Sequence, residues 1–215
     1  MLSGLMNNLL WIQGKEIIII LAAIAVVGFI FFRPLAYLAV VLFLFSFYFF
    51  RNPVRVCKES LHDNSVIICP ADGKVVSVEP VLNDPYFTQK VAIFLSPLDV
   101  HVNWHPFSGT VQETKYHAGQ FAFAFLPKSS ELNERNDVLF KNSSDTLVKV
   151  RQIAGTIARV IVCWVRVGEI VHAGNTFGMI KFGSRVEVFL PSNAKISVQE
   201  GERVFGGTTV LGRLQ

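Results

Sequence analysis

One stretch of this chain places a small hydroxyl where a large apolar side chain is expected. Residues 177–191, FGMIKFGSRVEVFLP, alternate as a β-strand does, and Ser184 falls on the apolar face. The opposite face carries the polar or small residues Lys181, Gly183, Arg185 and Glu187. Glycine within a strand often marks a close approach of another group to the backbone. The pattern alone favours a packing accommodation in a tight core, with a chemical role for the hydroxyl as the alternative.

Segment 99–105, DVHVNWH, contains the types of side chain from which a general base is built, histidine and aspartate. Alternation puts Asp99, His101, Asn103 and His105 on one face. An imidazole near a carboxylate and a hydroxyl can activate an oxygen nucleophile. The spacing alone favours a solvent-facing strand edge whose histidines have no chemical role. No metal site is predicted, because no Glu-x-x-His or cysteine ligand set joins the two histidines.

Two further polar motifs each allow a structural and a chemical interpretation. PADGKV, residues 70–75, is a tight-turn signature, so the pattern favours a turn role for Asp72 over a catalytic role. NER, residues 133–135, offers the amide of Asn133 and the guanidinium of Arg135 to an anionic group. The sequence alone favours ordinary surface charge at this motif.

The elements that must position these residues are short β-segments separated by turn residues. The expected strands are 65–69, 74–78, 91–95, 100–104, 109–115, 121–125, 147–153, 160–165 and 179–190. The polar segment 126–145 is expected to be a loop.

An internal repeat lies within this β-rich part. VRVGEIVHAGNT (165–176) and VQEGERVFGGTT (198–209) share the pattern V-x-x-G-E-x-V-x-x-G-x-T. Two copies are too few for a solenoid and indicate two related hairpin units, with glycines at turns that require positive φ. The hairpins resemble those of lipoyl- and biotinyl-type sandwiches. We therefore expect residues 51–215 to form a mainly β domain, a sandwich or barrel hybrid.

The first 50 residues have a different composition. Two 16-residue apolar runs, 17–32 and 35–50, are separated only by Arg33 and Pro34 and lack a polar face. Each run is about 24 Å long as a helix, against roughly 30 Å for the hydrocarbon core of a bilayer. We expect residues 1–50 to form a membrane helical hairpin, either spanning or re-entrant. A buried soluble hairpin is the alternative, and a signal peptide is disfavoured because no small-residue cleavage site follows.

Charge and cysteine content indicate the compartment. Lys15 precedes the first apolar run, and Arg51, Arg55 and Lys58 follow the second, which predicts a cytoplasmic location for these flanks. The net charge of +4 and the basic flanks suit an anionic lipid surface better than nucleic acid. The three cysteines have no CxxC spacing and indicate free thiols in a reducing compartment.

Taken together, the motifs resemble the phosphatidylserine decarboxylase proenzymes, in their compact prokaryotic form. The resemblance runs from about residue 48 to the end of the chain. It rests on the ordered set FFRNPVR, PADGKV, LSPLDVHVNWHPFSG, NER and FGMIKFGSRVEVFLP. Each motif is weak alone, but the ordered set is specific.

The resemblance implies that the chain cuts itself between Gly183 and Ser184. Chains 1–183 and 184–215 would result, with Ser184 converted into a pyruvoyl group that forms a Schiff base with the substrate amine. Asp72 matches the family aspartate that assists the cut, and His101 matches the first histidine of the family His-x-x-His. The second histidine of that motif would fall at Trp104 in this sequence. His105, one place later, is therefore only a weak candidate.

The implied reaction is decarboxylation of phosphatidylserine to phosphatidylethanolamine and CO₂, without a metal. Asn133 and Arg135 are weak candidates for substrate binding. The expected partners are the bilayer substrate and the two cleavage chains as a heterodimer, either alone or further dimerised. The expected location is the cytoplasmic side of the cell (inner) membrane. The alternative is a membrane-tethered lipoyl- or biotinyl-type carrier modified on Lys181, or an adaptor domain. Intact mass distinguishes them, because a carrier gains mass whereas the enzyme splits.

Overall fold

The structure is a computed structural model that describes residues 13–120, 132–155, 160–181 and 184–215. The chain divides into two compact units, Met1–Val54 and Arg55–Gln215.

The first unit is a helical hairpin. Helix α1 spans Lys15–Phe31 and helix α2 spans Arg33–Phe49. The helices are antiparallel: a Cβ on Gly28 would lie 2.9 Å from the Ala36 nitrogen, and one on Gly14 would meet the Phe50 ring. The predicted pair of helices is thus confirmed. Within the described part of the chain, neither helix combines the length and hydropathy needed to cross a membrane.

The second unit is mainly β, as predicted, with one 3-10 turn at Glu59–Leu61. Its strands are β1 Val66–Ile68, β2 Gly73–Pro80, β3 Gln89–Leu95, β4 Val102–Trp104, β5 Gly109–His117, β6 Arg135–Lys141, β7 Leu147–Ile153, β8 Val160–Cys163, β9 Ile170–Val171, β10 Thr176–Lys181, β11 Ser184–Leu190, β12 Ala194–Ile196, β13 Arg203–Val204 and β14 Val210–Leu214.

These strands form three antiparallel sheets. The large sheet has the order β13-β2-β3-β11-β7-β6-β5-β9, and the small sheets have the orders β1-β14-β12 and β4-β10-β8. In the described strands, β13 and β9 are the two edges of the large sheet and do not pair with each other. The sequence analysis predicts a sandwich or barrel hybrid, and the described strands do not form a closed barrel.

The strand order divides the second unit into two equivalent halves. The split half contains β1–β3 and β11–β14, and the continuous half contains β4–β10. Each half supplies one small sheet and four adjacent strands of the large sheet, in mirrored order about the β11–β7 pair. The continuous half is thus inserted into the split half between Leu95 and Ser184.

Matching backbone hydrogen bonds support this internal duplication. The Val75 N–H donates to the Glu202 carbonyl at 2.9 Å, and the Val111 N–H donates to the Glu169 carbonyl at 3.0 Å. The register also shifts at the same place in both pairs of strands. In β2–β3 the shift lies between Val75 and Ser77, and in β5–β6 it lies between Val111 and Glu113.

The repeat glycines behave as the sequence predicts. Gly168, Gly174, Gly201 and Gly207 all have positive φ, between 75° and 90°. Only glycine adopts this region without steric cost, so the repeated glycines fix the same turns in both halves.

One loop prediction and one strand prediction are wrong, and a further strand prediction cannot be compared. The predicted loop 126–145 contains strand β6, whose Val138 and Phe140 are buried in the core. The predicted single strand 179–190 consists of two strands that belong to different sheets. The predicted strand 121–125 lies outside the described residues.

Candidate active site

Ser184 lies where the chain crosses from one sheet to another. Strand β10 ends at Lys181 in a small sheet, and β11 begins at Ser184 in the large sheet. Gly183, the predicted carbonyl donor of the cleavage site, lies outside the described residues. The Ser184 side chain is fully buried, and its hydroxyl has no hydrogen-bond partner among the described residues. A buried hydroxyl in this state is costly and calls for a chemical explanation.

Several predicted site residues gather at one end of the large sheet, which we call the Ser184 end. Ser184 is opposite Leu95, the last residue of β3. Asp72 directly precedes β2, whose first residues pair with the last residues of β3. Asn133 and Arg135 lie at the start of β6, at the same end of the sheet. Residues that are far apart in sequence therefore lie at the same end of the sheet because their strands begin or end together.

The Asp72 carboxylate is buried and held on several sides. Arg55 donates hydrogen bonds to both of its oxygens, with Nη2 to Oδ2 at 2.9 Å. The Gly206 N–H donates to Oδ1 at 2.9 Å. The turn interpretation of PADGKV and the chemical interpretation therefore meet in one residue. Asp72 begins the turn into β2 and also presents a paired charge at the Ser184 end.

His101 is buried next to the strand that leads to Ser184. Its carbonyl accepts a hydrogen bond from the Ile180 N–H at 3.0 Å, four residues before Ser184. Its Nδ1 lies 3.0 Å from the Asp99 carbonyl oxygen. Because a carbonyl oxygen only accepts, Nδ1 is the donor in this contact.

The loop that carries His101 is anchored to strand β13 of the split half. The Asp99 carboxylate accepts from the Ser96 N–H at 2.7 Å and forms an ion pair with Arg203. Arg203 in turn lies opposite Lys74, two residues after Asp72. The His101 loop and the Asp72 turn are thus tied to the same edge strand.

The solvent-facing interpretation of segment 99–105 is wrong. Asp99, His101, Asn103 and His105 are all buried. Alternation places side chains on faces, but it does not reveal that both faces of β4 are covered.

His105 occupies a different environment from His101. Its ring packs against Phe140 and Phe177, with centroid separations of 5.3 and 5.4 Å. It follows the end of β4 that pairs with Thr176, at the far end of β10 from Ser184. Burial lowers the pKa of His105 to about 3, with a smaller contribution from His172. The structure therefore does not bring His105 to the Ser184 end.

Asn133 and Arg135 shape the backbone beside Ser184. The Asn133 amide is buried and donates to the Ala154 carbonyl at 2.7 Å, just beyond the end of β7. Arg135 is half-buried and lies opposite Ile153, which is also the partner of Arg185. Asn133 is therefore a structural residue in this state, whereas Arg135 brings a positive charge to the Ser184 end.

The second face of β11 is also buried. Arg185 and Glu187 form an ion pair at 3.1 Å, and Lys90 lies 3.5 Å from Glu187. Lys181, the modification site of the carrier alternative, is the last residue of β10, and the next strand, β11, belongs to a different sheet rather than pairing with β10 as a hairpin.

The sequence profile of the phosphatidylserine decarboxylase family matches residues 42–212. The chain belongs to this family. The phosphatidylserine decarboxylase proenzyme of Ehrlichia ruminantium (strain Gardel) is 42% identical over 220 aligned residues, which cover 100% of this chain and 95% of the relative. The proenzyme of Amoebophilus asiaticus (strain 5a2) is 44% identical over 174 residues, or 80% of this chain and 76% of the relative. The proenzyme of Syntrophus aciditrophicus (strain SB) is 46% identical over 172 residues, or 79% of each chain. The family resemblance drawn from the motifs is confirmed.

This decarboxylase-family chain also contains a buried row of amides that the sequence did not reveal. Asn136 donates to the Gln152 Oε1 at 3.0 Å, and the Gln152 Nε2 donates to the Asn103 Oδ1 at 2.8 Å. The Asn103 amide lies 3.5 Å from the Pro70 carbonyl. The row links β6 and β7 to the strand after His101 and to the turn before Asp72. The only sign of this row in the sequence is that these amide side chains occur at positions where the alternation of the strands would place buried residues.

Proposed function

We propose that this chain is a self-cleaving, pyruvoyl-dependent phosphatidylserine decarboxylase. The observation that carries the proposal is the buried Ser184 hydroxyl, without a described hydrogen-bond partner, at the junction between β10 and β11. A purely structural serine at this depth would be expected to pair its hydroxyl, whereas a nucleophile must keep its oxygen available.

In the proposed self-cleavage, the Ser184 Oγ attacks the Gly183 carbonyl. The peptide C–N bond breaks, an ester C–O bond forms, and the α-amino group of Ser184 is released. Loss of the Ser184 α-proton then breaks the ester, which leaves a carboxylate on Gly183 and dehydroalanine at position 184. Water converts dehydroalanine into the pyruvoyl group and ammonia.

His101 is the proposed base for the serine proton. Its Nδ1 hydrogen is committed to the Asp99 carbonyl, so Nε2 carries the lone pair that a base requires. The Asp72 carboxylate is the proposed second participant at the Ser184 end. Because Arg55 engages both of its oxygens, we assign the proton transfer to His101 and an electrostatic role to Asp72.

His105 has no part in the proposed chemistry. Its ring is enclosed by Phe140 and Phe177, and its lowered pKa keeps it neutral throughout the physiological range.

The buried setting of residue 184 fits a pyruvoyl group. A pyruvoyl ketone supplies an electron sink for decarboxylation of a covalently attached amino acid amine. The chain contributes a dry apolar surrounding, formed by core residues such as Leu95 and Val186, which excludes competing water. Arg135 is the proposed contact for an anionic part of the substrate, and Asn133 holds the backbone beside it.

We further propose that the α1–α2 hairpin associates with the cell inner membrane, with the catalytic unit on the cytoplasmic side. Its outward side chains are mostly apolar, including Ile30, Phe31 and Val41. A phosphatidylserine substrate resides in the bilayer, so membrane association would bring enzyme and substrate together.

Replacement of Ser184 tests the proposal. Ser184→Ala should leave one uncut chain without decarboxylase activity, measured by denaturing gel and by CO₂ release. The matched control is Thr146→Ala, because Thr146 precedes β7 as Ser184 begins β11 in the duplicated halves. The control should split as the wild type does. Normal splitting of Ser184→Ala would exclude the site.

A further inference from the structure

Arg55 makes more contacts with Asp72 than a surface ion pair would. Both of its terminal nitrogens donate to the carboxylate, and Nη1 also donates to the Gly206 carbonyl at 2.7 Å. The guanidinium carbon lies 5.0 Å from the centroid of the Trp104 ring. Asp72 is only 3% exposed. The two hydrogen bonds from the Arg55 guanidinium therefore fix the plane and the direction of the buried Asp72 carboxylate.

The internal duplication shows what the turn itself requires. CPADGKV (69–75) and HPFSGTV (105–111) occupy equivalent places, with Ser108 at the position of Asp72. The Ala173 N–H donates to the Ser108 Oγ at 3.0 Å, as the Gly206 N–H donates to Asp72 at 2.9 Å. A neutral hydroxyl thus completes the same turn in the continuous half.

The fold does not explain a charged pair at this position. A buried carboxylate and its arginine carry a desolvation penalty that a hydroxyl avoids. The charged version occurs in the half that contains Ser184. There the first residue of β2, Gly73, flanks Leu95 on one side and Ser184 flanks it on the other. The backbone of Gly73, the residue after Asp72, therefore lies about two strand spacings, roughly 10 Å, from the backbone of Ser184.

We propose that Arg55 is a positioning residue for self-cleavage, which acts by holding the Asp72 carboxylate in one orientation at the Ser184 end. This inference rests on the proposed function and extends it to a residue outside the reacting groups. Arg55 is the first residue of the catalytic unit, so the segment that follows the helical hairpin contributes directly to the site.

The test is the rate of self-cleavage in Arg55→Gln and Arg55→Lys, followed by intact mass after synthesis. Arg55→Gln should cleave about 100-fold more slowly, as expected when a catalytic group loses its orientation. Arg55→Lys should recover part of the rate, because one ammonium replaces the charge but cannot hold both oxygens. Millimolar guanidinium ion should accelerate Arg55→Ala and have no effect on the wild type.

Two controls make each outcome decisive. Arg213→Gln removes another arginine that contacts two carboxylates, Glu59 and Asp63, and should cleave at the wild-type rate. Folding is measured by circular dichroism and urea unfolding in the Ser184→Ala background, where no cut occurs. Slow cleavage by a folded Arg55→Gln supports the inference. Wild-type cleavage by Arg55→Gln, or its failure to fold in the uncut background, overturns the inference alone. A wild-type chain that never splits overturns the proposed function as well.

Discussion

At the scale of residues, the two histidines of segment 99–105 show how environment separates identical side chains. His101 donates through Nδ1 to a backbone carbonyl. His105 is enclosed by aromatic rings, and burial lowers its pKa to about 3. The same chemical group is therefore our proposed base in one position and a core residue in the other.

We predict that the two histidines respond differently to substitution. His101→Gln should slow self-cleavage by about 100-fold, the lower end of the usual contribution of a general base. His105→Phe retains a ring between Phe140 and Phe177 and should leave the cleavage rate unchanged. The appearance of the cut chains over time, followed on denaturing gels, measures both rates. The assignment of the base fails if His105→Phe is the slower variant.

The lowered pKa of His105 also predicts a pH effect on stability. The unfolded histidine titrates near 6.5, whereas the folded one titrates at about 3. Between these values the unfolded state binds the extra proton, so the free energy of unfolding falls as the pH falls, by about 1.4 kcal/mol per pH unit. Above pH 6.5 this contribution does not change. Urea unfolding at pH 7 and pH 5 should show a smaller loss in His105→Phe than in the wild type, and an equal loss would contradict the burial argument.

At the scale of elements, the internal duplication explains both the predicted and the missed features. The repeat 165–176/198–209 was visible because its glycines must adopt positive φ, which few other residues tolerate. The second repeat, formed by residues 69–75 and residues 105–111, is harder to see because its two copies have only one proline, one glycine and one valine in common. The insertion of one half into the other also separates Leu95 from Ser184 in sequence. Local periodicity therefore revealed single hairpins but not the way in which they assemble.

Strand boundaries failed where local patterns continue through a change of sheet. Alternation runs without interruption through residues 179–190, although β10 and β11 belong to different sheets. Strand β6 was missed because its inward residues, Val138 and Phe140, alternate with polar ones inside a polar segment. The candidate nucleophile Ser184 was accessible from the sequence. Its neighbours at the Ser184 end depend on long-range pairing that a single sequence does not encode visibly.

The duplication predicts that two equivalently placed glycines both matter for stability but differ in their importance for self-cleavage. A Cβ on Gly73 would lie 2.2 Å from the Phe94 oxygen, and one on Gly109 would lie 2.1 Å from the Lys141 oxygen. In the uncut Ser184→Ala background, Gly73→Ala and Gly109→Ala should each lower the free energy of unfolding by about 1–3 kcal/mol, the usual cost of overpacking. With Ser184 present, only Gly73→Ala should slow cleavage substantially. Equal cleavage rates in the two variants would contradict the assignment of the site to the split half.

At the scale of the whole molecule, the strand order explains how a cut chain can remain one particle. Strand β11 lies between β3 and β7, and β14 lies between β1 and β12. The segment 184–215 thus supplies a central strand to two sheets. Both neighbours of β11 belong to residues 1–183, whereas β14 pairs with β1 on one side and with β12 of its own segment on the other. Its core residues, including Val186, Val188 and Leu211, are fully buried.

We therefore predict that the two chains stay together after cleavage. In native size-exclusion chromatography, chain 184–215 should co-elute with chain 1–183 at the volume of uncut Ser184→Ala. The two chains should separate only in denaturant, because separation exposes the shared core. Loss of the small chain under native conditions would show that the pairing of β11 and β14 does not persist.

The most direct measurement of the central claim is the intact mass of the purified wild-type protein under denaturing conditions, before and after treatment with hydroxylamine. Self-cleavage at the proposed site should give two species, with masses that place the cut between Gly183 and Ser184. Only the smaller species should gain an oxime, because it alone carries a ketone. A single full-length species that does not react with hydroxylamine would contradict the account.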